Sequence, residues 1–286
     1  MHKPVLLHES IDALDIKENE IFLDSTLGGG GHSIEVLRRL DGKVRIIGLD
    51  QDPSAVELAR KKLNIEAKAE NFRNLDKALG ELGISSVDAI LFDLGISTDQ
   101  FEESGRGFSF LKDEPLDMRM SGKGINAADI LNSWDEHAIE LVLRGFGEEK
   151  FSRKIARVIV KRREVKPFET TFDLVGTVLD DKPRSRRDRI HPATKTFQAL
   201  RIAVNEELTA LEIGLEKGFK ALGKSGRFAV ISFHSLEDRV VKNFFRDKVK
   251  EKAAGQITKK PVTPSAEEIE INPRSRSAKL RVIKKL

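Results

Sequence analysis

EIFLDSTLGGGGH, Glu20–His32, is the stretch on which the fold turns. The apolar run Glu20–Ser25 has the length of a buried strand and carries an acid, Asp24, near its end. Four glycines, Gly28–Gly31, follow, and helical spacing then continues to about Leu40. Glycines between a strand and a helix permit a tight turn and let a ligand approach the backbone. The same rhythm repeats downstream. Val44–Asp50 (VRIIGLD) reads as a second strand, and Asp52-Pro53 opens a helix to about Leu63, with the acid as N-cap and proline at N1. Ile65–Ala69 is a third, weaker strand; Val87–Leu94 (VDAILFDL) is the fourth and strongest. Strands and helices alternating at this spacing predict parallel βαβ units in a doubly wound α/β sheet.

That rhythm stops after Leu94. From about Phe101 to Pro192 glycine-bearing loops (Gly105, Gly107, Gly122, Gly124) separate helical patterns at Ala127–Asn132, Glu136–Arg144 and Lys150–Arg163. Then Thr194–Leu222 reads as one long helix, Gly226–Phe233 (GRFAVISF) as a buried strand, and Glu237–Lys250 as a helix. Lys252–Pro273, with its prolines and acidic run, reads as a loop, and Ala278–Ile283 as a closing edge strand. The expected organisation is a discontinuous α/β domain, residues 1–104 and 194–286, split by a helical insertion, residues 105–193.

Composition narrows the function classes. The 286 residues suffice for one large or two modest domains. The absence of cysteine excludes disulfides and thiolate zinc sites. Histidines and acids show no metal-ligand spacing such as H-x-x-x-H, so no catalytic metal is expected. The start, MHKPVLLHES, has no apolar h-region, and no run approaches the length of a membrane helix. A cytoplasmic protein is the expectation. A formal charge of +4 permits a nucleic-acid partner without demanding one. Basic residues cluster at Arg153–Arg163 (six Lys/Arg in eleven positions), at Lys182–Arg189 and in the tail from Arg274. Those clusters suit phosphate contacts, and they equally suit solvated helix faces.

Asp24 and the glycines say which ligand fits the first turn. A dinucleotide fingerprint, G-x-G-x-x-G, fails in both registers, ending on Ser33 from Gly28 and on Ile34 from Gly29. No phosphate-cradling P-loop is present. A carboxylate ahead of the turn repels a pyrophosphate and attracts an ammonium group, which favours S-adenosyl-L-methionine over a nicotinamide dinucleotide. Asp50, closing the second strand, suits the two hydroxyls of a ribose. On its own, this reasoning reaches a methyltransferase with a nucleoside cofactor.

Seven segments extend the reading. Asp24–Ser33, Asp93-Leu94-Gly95-Ile96-Ser97, Arg106-Gly107-Phe108-Ser109-Phe110, Leu116-Asp117-Met118-Arg119-Met120, His191–Asn205, Ser232–Arg239 and Asn272–Ser277 resemble, in order, the bacterial ribosomal RNA small subunit methyltransferase H family, also called MraW. The resemblance runs nearly end to end, from His2-Lys3-Pro4-Val5-Leu6-Leu7 to the tail. It implies a Rossmann-like class I methyltransferase sheet with an inserted helical domain. It implies methylation of N4 of a cytosine, position 1402 of 16S ribosomal RNA, with S-adenosyl-L-methionine as donor. The implied cofactor contacts fall on Gly30, Gly31, His32, Asp50, Phe72, Asp93 and Gln100. Two departures are visible: Thr98-Asp99-Gln100 stands where the family has Ser-Pro-Gln, and Phe146 where it has Tyr.

On this reading Asp93, at the carboxyl end of the fourth strand, accepts from the cytosine amine, with the Leu94 carbonyl as second acceptor. Phe108 and Phe110 are candidates to stack on the base, and Asp117 and Arg119 to read its edge or a phosphate; a salt-bridged loop is the alternative for the latter pair. His234 is a candidate on the substrate side, or else a hydrogen-bonded core histidine. His191, before Pro192, shapes the return from the insertion. The insertion is the expected RNA-recognition element, and the partner is 16S ribosomal RNA or the small subunit. Monomer and homodimer are both allowed. Competing readings are a dinucleotide oxidoreductase, a methyltransferase of another RNA base, and a non-catalytic RNA-binding or envelope-associated factor.

Overall fold

The computed structural model describes residues 4–95, 104–181 and 190–286. Gln100 and the Lys182–Arg189 cluster, with Arg186 and Arg187, lie outside them. The chain divides into two compact units, Met1–Ser97 with Leu208–Leu286, and Thr98–Glu207.

The first unit is built on a seven-stranded sheet. Its strands are β1 (Ile21–Asp24), β2 (Arg45–Asp50), β3 (Glu66–Ala69), β4 (Val87–Asp93), β5 (Leu222–Ser232), β6 (Ala254–Gln256) and β7 (Lys279–Lys285), in the order β3-β2-β1-β4-β5-β7-β6. The first five are parallel, and β7 runs antiparallel to both β5 and β6. The order reverses between β1 and β4, the place where a doubly wound sheet opens a crevice at its carboxyl edge. Helices α1 (Leu7–Leu14), α2 (Gly31–Arg39), α3 (Pro53–Leu63), α4 (Leu75–Glu81), α10 (Glu207–Ala221, of which Leu208 onward belongs here), α11 (Ser235–Lys250) and α12 (Ala266–Ile271) accompany it.

The strand sequences produce two cores by alternation. Leu23, Ile47, Leu49, Ile90, Phe92, Phe228 and Val230 pack on one face against Leu75 and Leu79 of α4, Leu211 and Leu215 of α10, and Val241 and Phe245 of α11. Phe22, Ile46, Leu91, Ala229, Ile231, Leu280 and Val282 pack on the other against Ile11 and Leu14 of α1 and Val36 of α2. Burial on both faces explains why these strands read as unbroken apolar runs.

The second unit carries α5 (Ala127–Ser133), α6 (Glu136–Gly147), α7 (Ser152–Arg163), α8 (Thr171–Asp181) and α9 (Thr194–Asn205). Three expectations need correction. The long helix over Thr194–Leu222 is two helices, because Glu206 adopts φ 49°, ψ 38° between α9 and α10. The Asn205 side chain accounts for the stop: its Oδ1 accepts from Met120 N at 2.8 Å, and its Nδ2 donates to Met118 O at 2.7 Å. The second compact unit takes in α9 and ends at Glu207. Helix α9 packs on α6, where a Cβ on Gly147 would lie 2.6 Å from the Lys195 carbonyl oxygen. Finally, the segment Lys252–Pro273 holds β6 and α12, and β7 lies inside the sheet with β6 outside it, so the closing strand is not an edge.

Candidate active site

Three acids, Asp24, Asp50 and Asp93, end β1, β2 and β4. Asp24 is paired with Gly48 of β2 and Leu91 of β4, so Asp50 and Asp93 lie two residues further along the flanking strands. All three stand at the carboxyl edge beside the glycine turn.

Asp24 is 1% exposed. Its Oδ2 accepts from Ser33 Oγ at 2.7 Å, while its Oδ1 has no hydrogen-bond partner among the described residues. Burial raises its pKa to about 6 against the lowering effect of its hydrogen bonds to Ser33 and Thr26, and the nearby Asp50 raises it further. Asp93 is raised well above the usual carboxylate range, first by burial and then by repulsion from Asp24 and Glu237. Its Oδ1 is likewise unpartnered among the described residues. Its backbone N–H donates to Thr26 Oγ1 at 2.6 Å, which fixes the strand end. Asp50 is tied differently. Gly28 N–H donates to Oδ2 at 2.8 Å and Asp52 N–H to Oδ1 at 2.9 Å. Each oxygen keeps acceptor capacity beyond that one bond. Asp52 in turn caps α3, accepting from Ser54 N–H at 3.0 Å, with Pro53 at N1 as the sequence suggests.

The turn itself needs glycine at two positions for different reasons. Gly30 has φ +74°, and a Cβ there would lie 2.6 Å from Leu63 Cδ1. A Cβ on Gly31 would lie 2.2 Å from Pro4 Cγ, so the chain's start is packed directly on the turn. His32, 5% exposed, places Nε2 3.3 Å from the Val5 carbonyl and Nδ1 3.8 Å from Asp93 Oδ2. Phe72 leans on the core: its ring centroid is 4.8 Å from that of Phe92, and a Cβ on Gly214 would be 2.6 Å from its Cδ2. It remains partly exposed at the ends of β2 and β3, near Asn71, whose amide donates to Gln51 Oε1 at 2.9 Å.

His234 takes the N-cap position of α11, its Nδ1 accepting from Glu237 N–H at 3.3 Å. Glu237 completes a capping box, its Oε2 accepting from His234 N–H at 3.3 Å and from Phe233 N–H at 2.8 Å. This acid, 3% exposed and repelling Asp93, is a site residue that sequence reasoning missed, as is Thr26. The spacing His234-x-x-Glu237 is the signal that finds it, once histidine is admitted as a cap.

The second unit holds the remaining candidates. Phe108 is 4% exposed, with the Arg106 guanidinium 5.6 Å above its ring, so it is a packed ring and not a presented one. The glycines flanking it suggest exposure in sequence, but Gly107 is there because a Cβ would meet the Pro115 carbonyl oxygen at 2.3 Å. Phe110 already stacks on His191, centroids 4.8 Å apart. Asp117 and Arg119 bind each other in the salt-bridged loop arrangement: Nη2 to Oδ2 at 2.6 Å, Nε to Oδ1 at 2.9 Å. The Asp117 carboxyl is held below its usual range, chiefly by its hydrogen bonds from Arg119. Arg106 Nη1 donates to the carbonyls of Arg119 and Met120 at 3.0 and 2.9 Å, joining the loop that Asn205 clamps.

The profile of the MraW methylase family matches residues 1–286. Ribosomal RNA small subunit methyltransferase H of Clostridium botulinum (strain Kyoto / Type A2) is 47% identical, the match covering 100% of this chain and 99% of that protein. The protein of the same name from Heliobacterium mobile is also 47% identical, with the same coverage. Among solved structures, a putative rRNA-methylase from Clostridium thermocellum is similar at TM-score 0.49 and 14% identity over 100% of both chains. A putative methyltransferase from Streptococcus mutans in complex with SAH is similar at TM-score 0.46 and 13% identity, over 100% of both chains.

Proposed function

The chain belongs to the MraW methylase family, and on that premise we propose that the glycine turn with Asp24, Asp50 and Asp93 seats its methyl donor and that it methylates N4 of a cytosine in 16S ribosomal RNA. The protein is a methyltransferase; it uses S-adenosyl-L-methionine and acts on ribosomal RNA of the small subunit. Among the described residues no helix is long and apolar enough to cross a membrane, and an activity on ribosomal RNA supports a cytoplasmic location.

The single observation that carries the site is the pair of buried carboxylate oxygens, Asp24 Oδ1 and Asp93 Oδ1, without a hydrogen-bond partner among the described residues and beside a glycine turn. Buried acids that crowd one another are costly until a cation joins them. The donor therefore fits by charge. Asp24 takes its ammonium group, Asp50 its ribose hydroxyls, Gly30 and Gly31 give it room, and the exposed edge of Phe72 borders its adenine; Gln100 is assigned to the same site from the family pattern. When bound, S-adenosyl-L-methionine supplies an electrophilic methyl group on a positively charged sulfur.

The chain's own task is to present the amine. The lone pair of cytosine N4 is delocalised into the ring, so the NH2 must be held by its hydrogens with the lone pair turned toward the methyl group. Asp93 accepts one hydrogen and the Leu94 carbonyl the other. Placement in line contributes most of the rate. The amine proton leaves after transfer, so no strong base is required. An unstacked base is needed for this approach. Neither Phe108 nor Phe110 is assigned the stacking role, because both rings are engaged by neighbours. For Asp117 and Arg119 to read the base, their mutual ion pair would have to open.

Incubation with radiolabelled S-adenosyl-L-methionine and small ribosomal subunits, followed by mapping of the labelled nucleotide, tests the proposal. Label on cytosine N4 of 16S ribosomal RNA supports it; label on another base or at a ring carbon overturns the assignment of the acceptor.

A further inference from the structure

Three consecutive residues at the chain's start make three separate attachments. The Pro4 ring fills the space that a Gly31 Cβ would occupy. The Val5 carbonyl faces His32 Nε2 at 3.3 Å. The Leu6 N–H donates to Glu268 Oε1 at 2.8 Å, a bond spanning 262 positions. Two attachments reach the glycine turn and the third reaches α12.

The local chemistry shows why the third matters. Leu6 is fully buried and has φ 50°, ψ 38°, the left-handed region that a leucine side chain resists. It stands at the N-cap position of α1 with no side-chain cap of its own. A buried N–H there needs an acceptor, and a carboxylate suits a helix start. Glu268 supplies it. Glu268 is itself placed by Ser265, whose Oγ accepts from Glu268 N–H at 3.0 Å and so starts α12. The sequence Ser265-x-x-Glu268 has capping-box spacing, and its acid is used on a segment from the other end of the chain.

A carbonyl only accepts, so the contact with Val5 requires His32 to carry its proton on Nε2. Nδ1 of the same ring lies 3.8 Å from Asp93 Oδ2. The strap thus forms the wall of the turn, through Pro4, and holds the ring of the histidine that faces Asp93, through Val5.

We infer that Pro4–Leu6 is a wall of the cofactor site and that Glu268 is a positioning residue for cofactor binding, acting through this strap. The inference rests on the glycine turn being the seat of the methyl donor.

Calorimetric titration of S-adenosyl-L-methionine into the full chain and its Glu268→Ala, Glu268→Gln and Asp50→Ala variants tests it, with turnover on small ribosomal subunits measured alongside. Glu268→Ala is expected to raise Kd and KM for the donor about tenfold, with kcat at saturating donor within about twofold of the parent. Glu268→Gln keeps an acceptor oxygen for Leu6 and is expected to restore most of the affinity. Hydrogen exchange should quicken at residues 5–8 and 30–34 in Glu268→Ala alone. Unchanged donor affinity in Glu268→Ala overturns the inference, as does a loss confined to kcat. If Asp50→Ala also binds the donor normally, the site reading fails; if Asp50→Ala loses binding while Glu268→Ala does not, only the strap's role fails.

Discussion

Asp24 is a residue held against its own stability. With its carboxyl raised to about 6 by burial, ionisation in the ligand-free fold is unfavourable. The sign follows from linkage: a folded pKa above the unfolded value favours the fold at low pH, and that contribution is lost as pH rises from about 4 through about 6. Asp24→Asn is therefore expected to stabilise the ligand-free protein above pH 6 by about 1–3 kcal/mol while weakening S-adenosyl-L-methionine at least tenfold; melting curves and calorimetric titration read the two effects. A variant less stable at every pH would remove the argument. The same logic gives the wild-type protein a pH signature. A cation binds the ionised acids, so binding should expel protons below about pH 6 and tighten as pH rises through that value. Titrations in buffers of different ionisation heat measure the proton count, and a count of zero at pH 5 to 6 would contradict it. The acids were legible in sequence because each closes an apolar run. Glu237 and Glu268 were not, the first because its partner cap is a histidine and the second because its bond links opposite ends of the chain.

At the scale of elements, periodicity identified β1 to β5 and β7: β1, β2, β4 and the later half of β5 are largely buried apolar runs, whereas β3, an edge strand with one buried residue, gives the weaker signal. It missed β6, three residues long, and α12, six residues long, in a segment whose polarity resembles a loop. It also ran α9 into α10, because no glycine or proline marks the stop; a side-chain clamp on a distant loop makes it. Helix α10 offers a test of how tightly fold and site are joined. Its Gly214 faces Phe72, which borders the proposed adenine position. Alanine gains about 1 kcal/mol of helix propensity, but overpacking against a ring costs about 1–3 kcal/mol. Gly214→Ala is expected to lower the melting temperature and weaken the donor together; a rise in melting temperature would show that Phe72 yields freely. The basic cluster on α7 sorts by environment in a way its sequence hides. Arg163 Nη1 donates to the carbonyls of Leu131 and Trp134 at 2.9 and 2.6 Å, and Arg162 pairs with Asp173 at 3.0 Å. Arg153, Arg157 and Lys161 are exposed at helical spacing on one face, with Arg157 3.8 Å from Glu136 at the surface. The exposed three are the proposed phosphate contacts. Reversing them to Glu should weaken RNA binding and lower its salt slope by roughly one unit per contact, leaving donor affinity unchanged; an unaltered slope would reassign the stripe to solvation.

For the whole molecule, the division of labour decides which measurement can see the cofactor. The acids and the glycine turn belong to the first unit, whereas Trp134 lies in the second and the chain has no other tryptophan and no tyrosine. Intrinsic fluorescence therefore reports the unit that does not hold the proposed donor site, and a scanning calorimeter is the instrument that follows both. At a hundredfold excess over Kd, a ligand that binds only the folded state adds about 2.7 kcal/mol, which moves the melting of a unit this size by several degrees. S-adenosyl-L-methionine should produce that shift, and NADH should not, because its diphosphate would face the buried carboxyls of Asp24 and Asp93, which call for a cation. S-adenosyl-L-homocysteine separates the two positive charges of the donor. It keeps the ammonium and loses the sulfonium, so it should stabilise if Asp24 recognises the amino-acid end. Failure of the homocysteine product to stabilise would move the recognition to the sulfur, and an equal shift with NADH would remove the electrostatic case for the site.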